Sequence, residues 1–214
     1  MTGALVLDHV TLVVADGPAF GERLRAEHGL GWFPGGYLDH LGARSHNVPL
    51  TPPAYLEWLS VEDASVAAGN DTGRRLLDLR AAGGGVAAWT VLVPDIDAVA
   101  RRVGVEVYDG TTRIETGPNA GVLRRWRTVT GPPHLPVFIW YEGFDARLER
   151  QRGAYESVGH TSAPGGYTRV EVGGDPRELA GWLGPHDLPV TFVDGPPGIV
   201  AAYVATARGE VRVP

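Results

Sequence analysis

Two side chains interrupt apolar strands at places where a buried sheet normally carries none. His9 lies inside LVLDHVTLVVAD (residues 5–16), and Glu57 lies inside AYLEWLSV (residues 54–61). A carboxylate in a buried strand needs a partner, because an isolated charge is costly to remove from water. A divalent ion is one such partner, and a His and a Glu on neighbouring strands offer two of its ligands. A hydrogen-bonded His–Glu pair without an ion is the alternative. A second chemical feature is VLRRWRTV (residues 122–129). Arg124, Trp126 and Arg127 there suit an anionic, partly apolar ligand, since a guanidinium meets carboxylate or phosphate as a fork. A solvated edge strand studded with charge is the plainer reading.

Strand alternation assigns faces to these residues. Leu7, His9, Thr11 and Val13 share one face, and Val6, Asp8, Val10, Leu12 and Val14 the other. The second face is the more apolar apart from Asp8, so it is expected to pack on helices and leave His9 on the concave side. Tyr55, Glu57, Leu59 and Val61 share a face, as do Arg44, His46 and Val48. In VLRRWRTV, Val122, Arg124, Trp126 and Thr128 oppose Leu123, Arg125, Arg127 and Val129. His160 sits in the Gly-rich VGHTSAPGG, and His40 stands beside Asp39. His28, His134 and His186 adjoin Gly or Pro in expected turns. The run DARLERQR reads as a solvated helix face.

The composition removes several chemistries. The chain has no cysteine, which excludes disulfides, zinc–thiolate sites and thiol nucleophiles. It has no lysine, which excludes Schiff-base chemistry. A net charge of −6 argues against a nucleic-acid partner. GGG at residues 83–85 lacks a phosphate-loop context, and no G-x-S-x-G elbow is present. Asp8 interrupts the opening apolar run, so no leader is expected, and no segment is apolar for long enough to span a bilayer. The expectation is a soluble, cytoplasmic protein with no membrane partner.

The elements that must position these residues recur along the chain. The opening strand is followed by Asp16, a short amphipathic helix, and strands at 31–36, 43–50 and 54–61. VAAWTVLVPDIDAVARRVG (86–104) repeats strand, Asp and helix, with strands expected at 105–108, 122–129 and 136–142. YTRVEVGGDPRELAGWLG (167–184) starts a third copy. Asp16, Asp95 and Asp175 are nearly evenly spaced and suited to cap the helix that follows each. The chain therefore divides into a first βαβββ module (1–65), a connecting helix and loop (66–85), a second module (86–142), a connector or lid (143–166) and a shortened third module (167–214). The fold class is α+β: repeated βαβββ modules forming a curved, open mixed-sheet cup, with a shorter βα-type third copy.

With a His in strand one and a Glu in strand four, this repeat resembles the vicinal oxygen chelate superfamily, and within it the glyoxalase-like proteins. The resemblance rests on Asp8-His9, Gly35-Gly36, GARSHNVPL (42–50), Tyr55-Leu56-Glu57, Trp126-Arg127 and Phe138-Ile139, in that order over most of the chain. It implies two modules paired into an eight-stranded cup. Metal-dependent members hold a divalent ion there, through a His or Glu from strand one and a Glu from strand four of each module. This nominates His9 and Glu57 as ligands of Zn, Ni, Mn or Fe. His160 joins them, since the family tends to carry a His in that segment. The sequence departs from the pattern in module two, where Ala88 stands at the strand-one position. The strand-four position falls near Ile139 or Trp140, with Glu142 two or three residues late.

Two functions follow from the resemblance. One is a metal-dependent lyase, isomerase or dioxygenase acting on vicinal oxygens, with Glu57 as ligand or base. The other is a metal-free small-molecule binding or drug-sequestering protein, with Arg124 or Arg127 as anion clamp beside Trp126 and His46. The short third copy either completes the cup in cis or pairs across a homodimer.

Overall fold

The computed structural model of the chain describes residues 5–114 and 120–213. Residues 1–4 of the first expected module, 115–119 of the second and 214 of the third lie outside the described residues. The first module runs β1 (Val6–Val13), α1 (Gly17–His28), β2 (Phe33–Leu38), β3 (Ala43–Pro49) and β4 (Tyr55–Val61). Helices α2 (Ala64–Ala67) and α3 (Asp71–Ala81) lead to β5 (Gly85–Leu92), α4 (Ile96–Val103), β6 (Tyr108–Arg113), β7 (Leu123–Val129) and β8 (Val137–Tyr141). Helix α5 (Phe144–Ser157) then precedes β9 (Tyr167–Gly173), α6 (Pro176–Leu183), β10 (Val190–Phe192), β11 (Gly198–Thr206) and β12 (Gly209–Val213). Asp16, Asp95 and Asp175 each accept a backbone N–H in the first turn of their helix, from Ala19, Ala98 and Arg177.

Strands β1 to β8 form one curved mixed sheet in the order β2-β3-β4-β1-β5-β8-β7-β6. Each module closes by a parallel pairing of its first and fourth strands, and the halves join through antiparallel β1 and β5. The sheet face carrying Val10, Leu12, Leu56, Trp58, Trp89, Val91 and Phe138 is buried under α1, α4 and the second sheet. Burying such side chains is the main favourable term in folding, about 25 cal/mol for each Å² of apolar surface removed from water. The opposite face lines the cup.

The third copy keeps the strand–Asp–helix start but changes its pairing. Its four-stranded sheet runs β10-β9-β11-β12, with β10 parallel and β11 antiparallel to β9. It packs on the first sheet through Val170, Val172, Val204, Leu179 and Leu183, which share one core with Trp89 and Val91. The strand expected at 105–108 lies instead at Tyr108–Arg113, paired with β7 from Tyr108↔Thr128 to Arg113↔Leu123. Val105 and Val107 are apolar because they pack on the core, not because they pair.

A residue of the second sheet reaches into the first. The Tyr167 hydroxyl accepts from the Val10 amide at 3.0 Å and donates to the Tyr55 carbonyl at 2.8 Å, bridging β1 and β4. Burial pushes its pKa far up, so it stays a hydroxyl at any working pH. Tyr167→Phe leaves two backbone groups without that partner. It is expected to lower unfolding stability by about 1–3 kcal/mol in urea titrations. An unchanged midpoint would show that the ladder closes without the hydroxyl.

Candidate functional site

Strand β1 carries one residue too many beside His9. Leu7 stands opposite Val91 and His9 opposite Thr90, so Asp8 has no counterpart in β5. Such a bulge sets two consecutive side chains on one side of the sheet. Accordingly His9 Nδ1 lies 2.8 Å from Asp8 Oδ2, and both side chains are buried. This corrects the expected alternation: Leu7 packs in the main core with Val10, while Asp8 leaves the helix-facing side. Strand β5 carries the matching bulge at Ala87, so the mirror of Asp8-His9 is Ala87-Ala88.

Asp8 is fully buried. Its Oδ1 accepts from Arg147 Nη2 at 2.6 Å, and its Oδ2 from the Tyr141 hydroxyl at 3.1 Å. Burial alone would raise its pKa, but the Arg147 charge and the His9 and Tyr141 hydrogen bonds outweigh burial and hold it below 3.8. Burial and the Asp8 charge push the Tyr141 hydroxyl up to about 12, so it remains a donor. An ionised Asp8 fixes the tautomer of a neutral His9: Nδ1 carries the hydrogen and Nε2 is free to accept.

His9 Nε2 faces Glu57. The distance to Glu57 Oε2 is 3.9 Å, and the imidazole stacks on Tyr55 with centroids 4.5 Å apart. Thr11 Oγ1 donates to Glu57 Oε2 at 2.9 Å, and Ser45 Oγ donates to Oε1 at 2.8 Å. Asn47 Nδ2 in turn donates to Ser45 Oγ at 3.2 Å. A Cβ at Gly35 would lie 2.6 Å from Asn47 Nδ2 and 2.8 Å from Ser45 Oγ, so the first glycine of the Gly-Gly pair makes room for this chain of donors. Glu57 is thus pinned but not enclosed, with 18% of its side chain exposed.

These groups open on a cavity of about 520 Å³ inside the sheet. Its wall includes His9, Thr11, Glu57, Ala88, Thr90, Val137, Ile139 and Tyr141, and the aromatic faces of Tyr108 and Trp126. Arg124 lines it as well, whereas Arg127 does not. Arg127 points outward to Asp97 and Asp109, both at 2.9 Å. Helix α3 lies over the Leu59–Ala87 end through Leu76 and contributes Arg75, a half-buried guanidinium whose pKa burial lowers.

Two further expected site residues lie elsewhere. His46 is in the core on the helix-facing side, stacked on Trp58 at 5.5 Å. A Cβ at Gly17 of α1 would lie 2.2 Å from its ring. Burial and the Arg44 charge lower its pKa, so it is neutral. It shares β3 with Ser45 and Asn47, but the pleat turns it away from the cup. His160 accepts from the Gly31 amide at 2.9 Å and sits 4.9 Å from the Tyr155 ring, and it is absent from the cup wall. Arg147 is the residue missed by sequence reasoning. It belongs to DARLERQR yet is only 4% exposed. The signal for it was Asp8, a strand carboxylate that required a cation.

A metal site of the superfamily type needs a donor pair from each module. The register places Val137 opposite Thr90 as Glu57 stands opposite Thr11, so the mirror of Glu57 is Val137, not Ile139 or Trp140. The mirror of His9 is Ala88. Among the described residues no three His, Asp or Glu side chains converge as a metal site requires. The residues present do not fit the four-ligand ion.

The fold and the cup define a pair of βαβββ modules built round a cavity, backed by a third βα unit. A family model described as a glyoxalase-like domain matches residues 7–183, and the chain belongs to that family, within the vicinal oxygen chelate superfamily. A hypothetical protein from Staphylococcus aureus shares the fold over 97% of this chain and 98% of its own, with a TM-score of 0.71 and 15% identity. A methylmalonyl-CoA epimerase from Streptomyces coelicolor aligns with 65% of this chain and 97% of its own, at a TM-score of 0.46 and 23% identity. The epimerase from Mycobacterium tuberculosis covers 66% and 88%, at 0.46 and 22% identity. No curated protein sequence matches the chain. Among the described residues no helix is long and apolar enough to cross a membrane.

Two outcomes test the site's construction. Arg147→Met strands a buried carboxylate and should cost about 3–5 kcal/mol at neutral pH, most of it regained in the Arg147→Met/Asp8→Asn double variant. Because the folded pKa of Asp8 is depressed, its contribution is complete above its ordinary value of 3.8 and is lost as pH falls through the lower folded value. Urea midpoints measured from pH 5 downward should therefore fall less steeply in the double variant. Dialysis against EDTA should leave thermal unfolding unchanged; a drop of several degrees would establish a bound ion.

Proposed function

We propose that the cup binds an anionic, partly apolar small molecule and that Glu57 moves a proton on it, as in an isomerase or lyase acting next to a carbonyl. One observation carries this reading. A carboxylate held at both oxygens, with an Asp-oriented imidazole 3.9 Å away, opens on a cavity whose facing wall carries Ala88, Val137 and Ile139. A positioned carboxylate can take a proton from a carbon beside a carbonyl and return it to the same or the next carbon. The balance closes without an oxidant. His9 Nε2 can accept that proton from Glu57, and the ionised Asp8 stabilises the imidazolium that results. Arg124 provides positive charge for the anionic end of the ligand, and Trp126 and Tyr108 provide apolar faces. No step passes through a metal.

Ala88 and Val137 at the mirror positions favour a second reading, a cup that binds without reacting. The two separate by proton exchange. A panel of 2-oxo and 3-oxo acids is incubated with the protein in deuterated water and followed by proton NMR. Expected is deuterium wash-in beside the carbonyl, reduced at least about 100-fold in Glu57→Gln with affinity nearly unchanged. Binding with no exchange for any acid would make the protein a binding module.

A further inference from the structure

A second, smaller cavity of about 50 Å³ adjoins the cup and shares Phe33, Asn47, Tyr55, Ile114 and Arg124 with it. Its remaining wall comes from α5 through Arg147, Arg150, Gln151 and Ala154, and from Pro49. Arg147, Arg150, Gln151 and Ala154 are spaced three and four apart, so one helix face supplies them.

The charge in this corner is unbalanced. The Arg124 and Arg147 charges both depress the Arg150 pKa after burial has done so, which places the three guanidinium groups within electrostatic reach of one another. Among the described residues the carboxylate paired with any of them is Asp8, on Arg147 Nη2. Arg147 is nearly fully buried, yet its Nη1 makes no hydrogen bond. Neither Arg124 nor Arg150 has an ion pair among the described residues. Three half-buried or buried cations facing one carboxylate repel one another, and a buried donor without an acceptor is costly. In a chain of net charge −6 such a cluster is not a general feature of the surface.

We infer that this corner is an oxyanion subsite that takes the terminal phosphate or carboxylate of the ligand, with Arg124, Arg147 and Arg150 as its donors. It deepens the reading of the cup and rests on it: the anion anchors one end while the rest of the molecule lies along Tyr55 toward Glu57. The forked donors of arginine suit a group with two or three equivalent oxygens. Arg147 has a double task, since one nitrogen holds Asp8 and the other is left for the ligand.

The test uses inorganic phosphate and acetate as separate probes, titrated into the full chain at constant ionic strength and followed by calorimetry. Arg124→Gln and Arg150→Gln are the variants, because both side chains are partly exposed and their loss strands no buried carboxylate. Circular dichroism verifies their fold. Expected is saturable 1:1 phosphate binding, weakened about tenfold or more by each substitution, the loss of one charge-assisted hydrogen bond. If acetate saturates with the same sensitivity and phosphate does not, the subsite holds and its ligand is a carboxylate. If neither anion saturates, or both variants bind as the parent does, the inference is overturned. Glu57→Gln should retain anion binding while losing proton exchange, so the subsite and the proton-transfer reading fail separately.

Discussion

The site depends on a carboxylate buried inside a strand. Asp8 has no solvent exposure, and its ionised state is supported by Arg147, His9 and Tyr141. Such a pair does not by itself make a protein more stable, because desolvating both charges offsets most of their attraction. Its value here is positional. It ties α5 to β1 across a long stretch of chain, stacks the guanidinium against Tyr141 at 4.0 Å, and sets the tautomer of His9. Through that imidazole it also sets what stands beside Glu57.

The two modules share a backbone plan and differ in chemistry. Both first strands are bulged, both pair in parallel with their fourth strands, and they meet antiparallel at the centre of the sheet. His9 faces Thr90 and Thr11 faces Ala88, so a symmetric frame presents an asymmetric pair of walls. One wall carries His9 and Glu57, with Asp8 buried behind the imidazole; the other carries Ala87, Ala88 and Val137. A metal shared by both modules asks for donors from both. Here the carboxylate is held by donors of its own module, and the other module presents alanine and valine to it.

The third unit acts on the site from behind. Its sheet buries the face of β1 and β5 opposite the cup, and its Tyr167 hydroxyl joins β1 to β4 at the level where His9 stacks on Tyr55. The spacing of His9 from Glu57 therefore depends on a residue more than a hundred positions along the chain. The connector contributes in the same way, with Arg147 and Gln151 both held to the Pro53 carbonyl.

Local pattern was enough to establish the modules, because strand alternation, an Asp cap and a helix recur together and act over a few residues. It was enough, too, to single out His9 and Glu57, since polar groups inside apolar strands require partners whatever the fold. Only the tertiary structure decided which partners. A bulge shifts side-chain phase by one, and nothing in the run LVLDHV distinguishes it from an unbroken strand. The pleat gave Arg124 to the cup and Arg127 to Asp97, although composition treats the two alike, and it turned His46 under α1. The third copy reads as another βα start, but its strand order follows from which edge each strand found. Arg147 looked like one charge among several on a solvated helix. Its burial follows from the docking of α5 over Asp8, a contact between residues far apart in sequence that no local periodicity encodes.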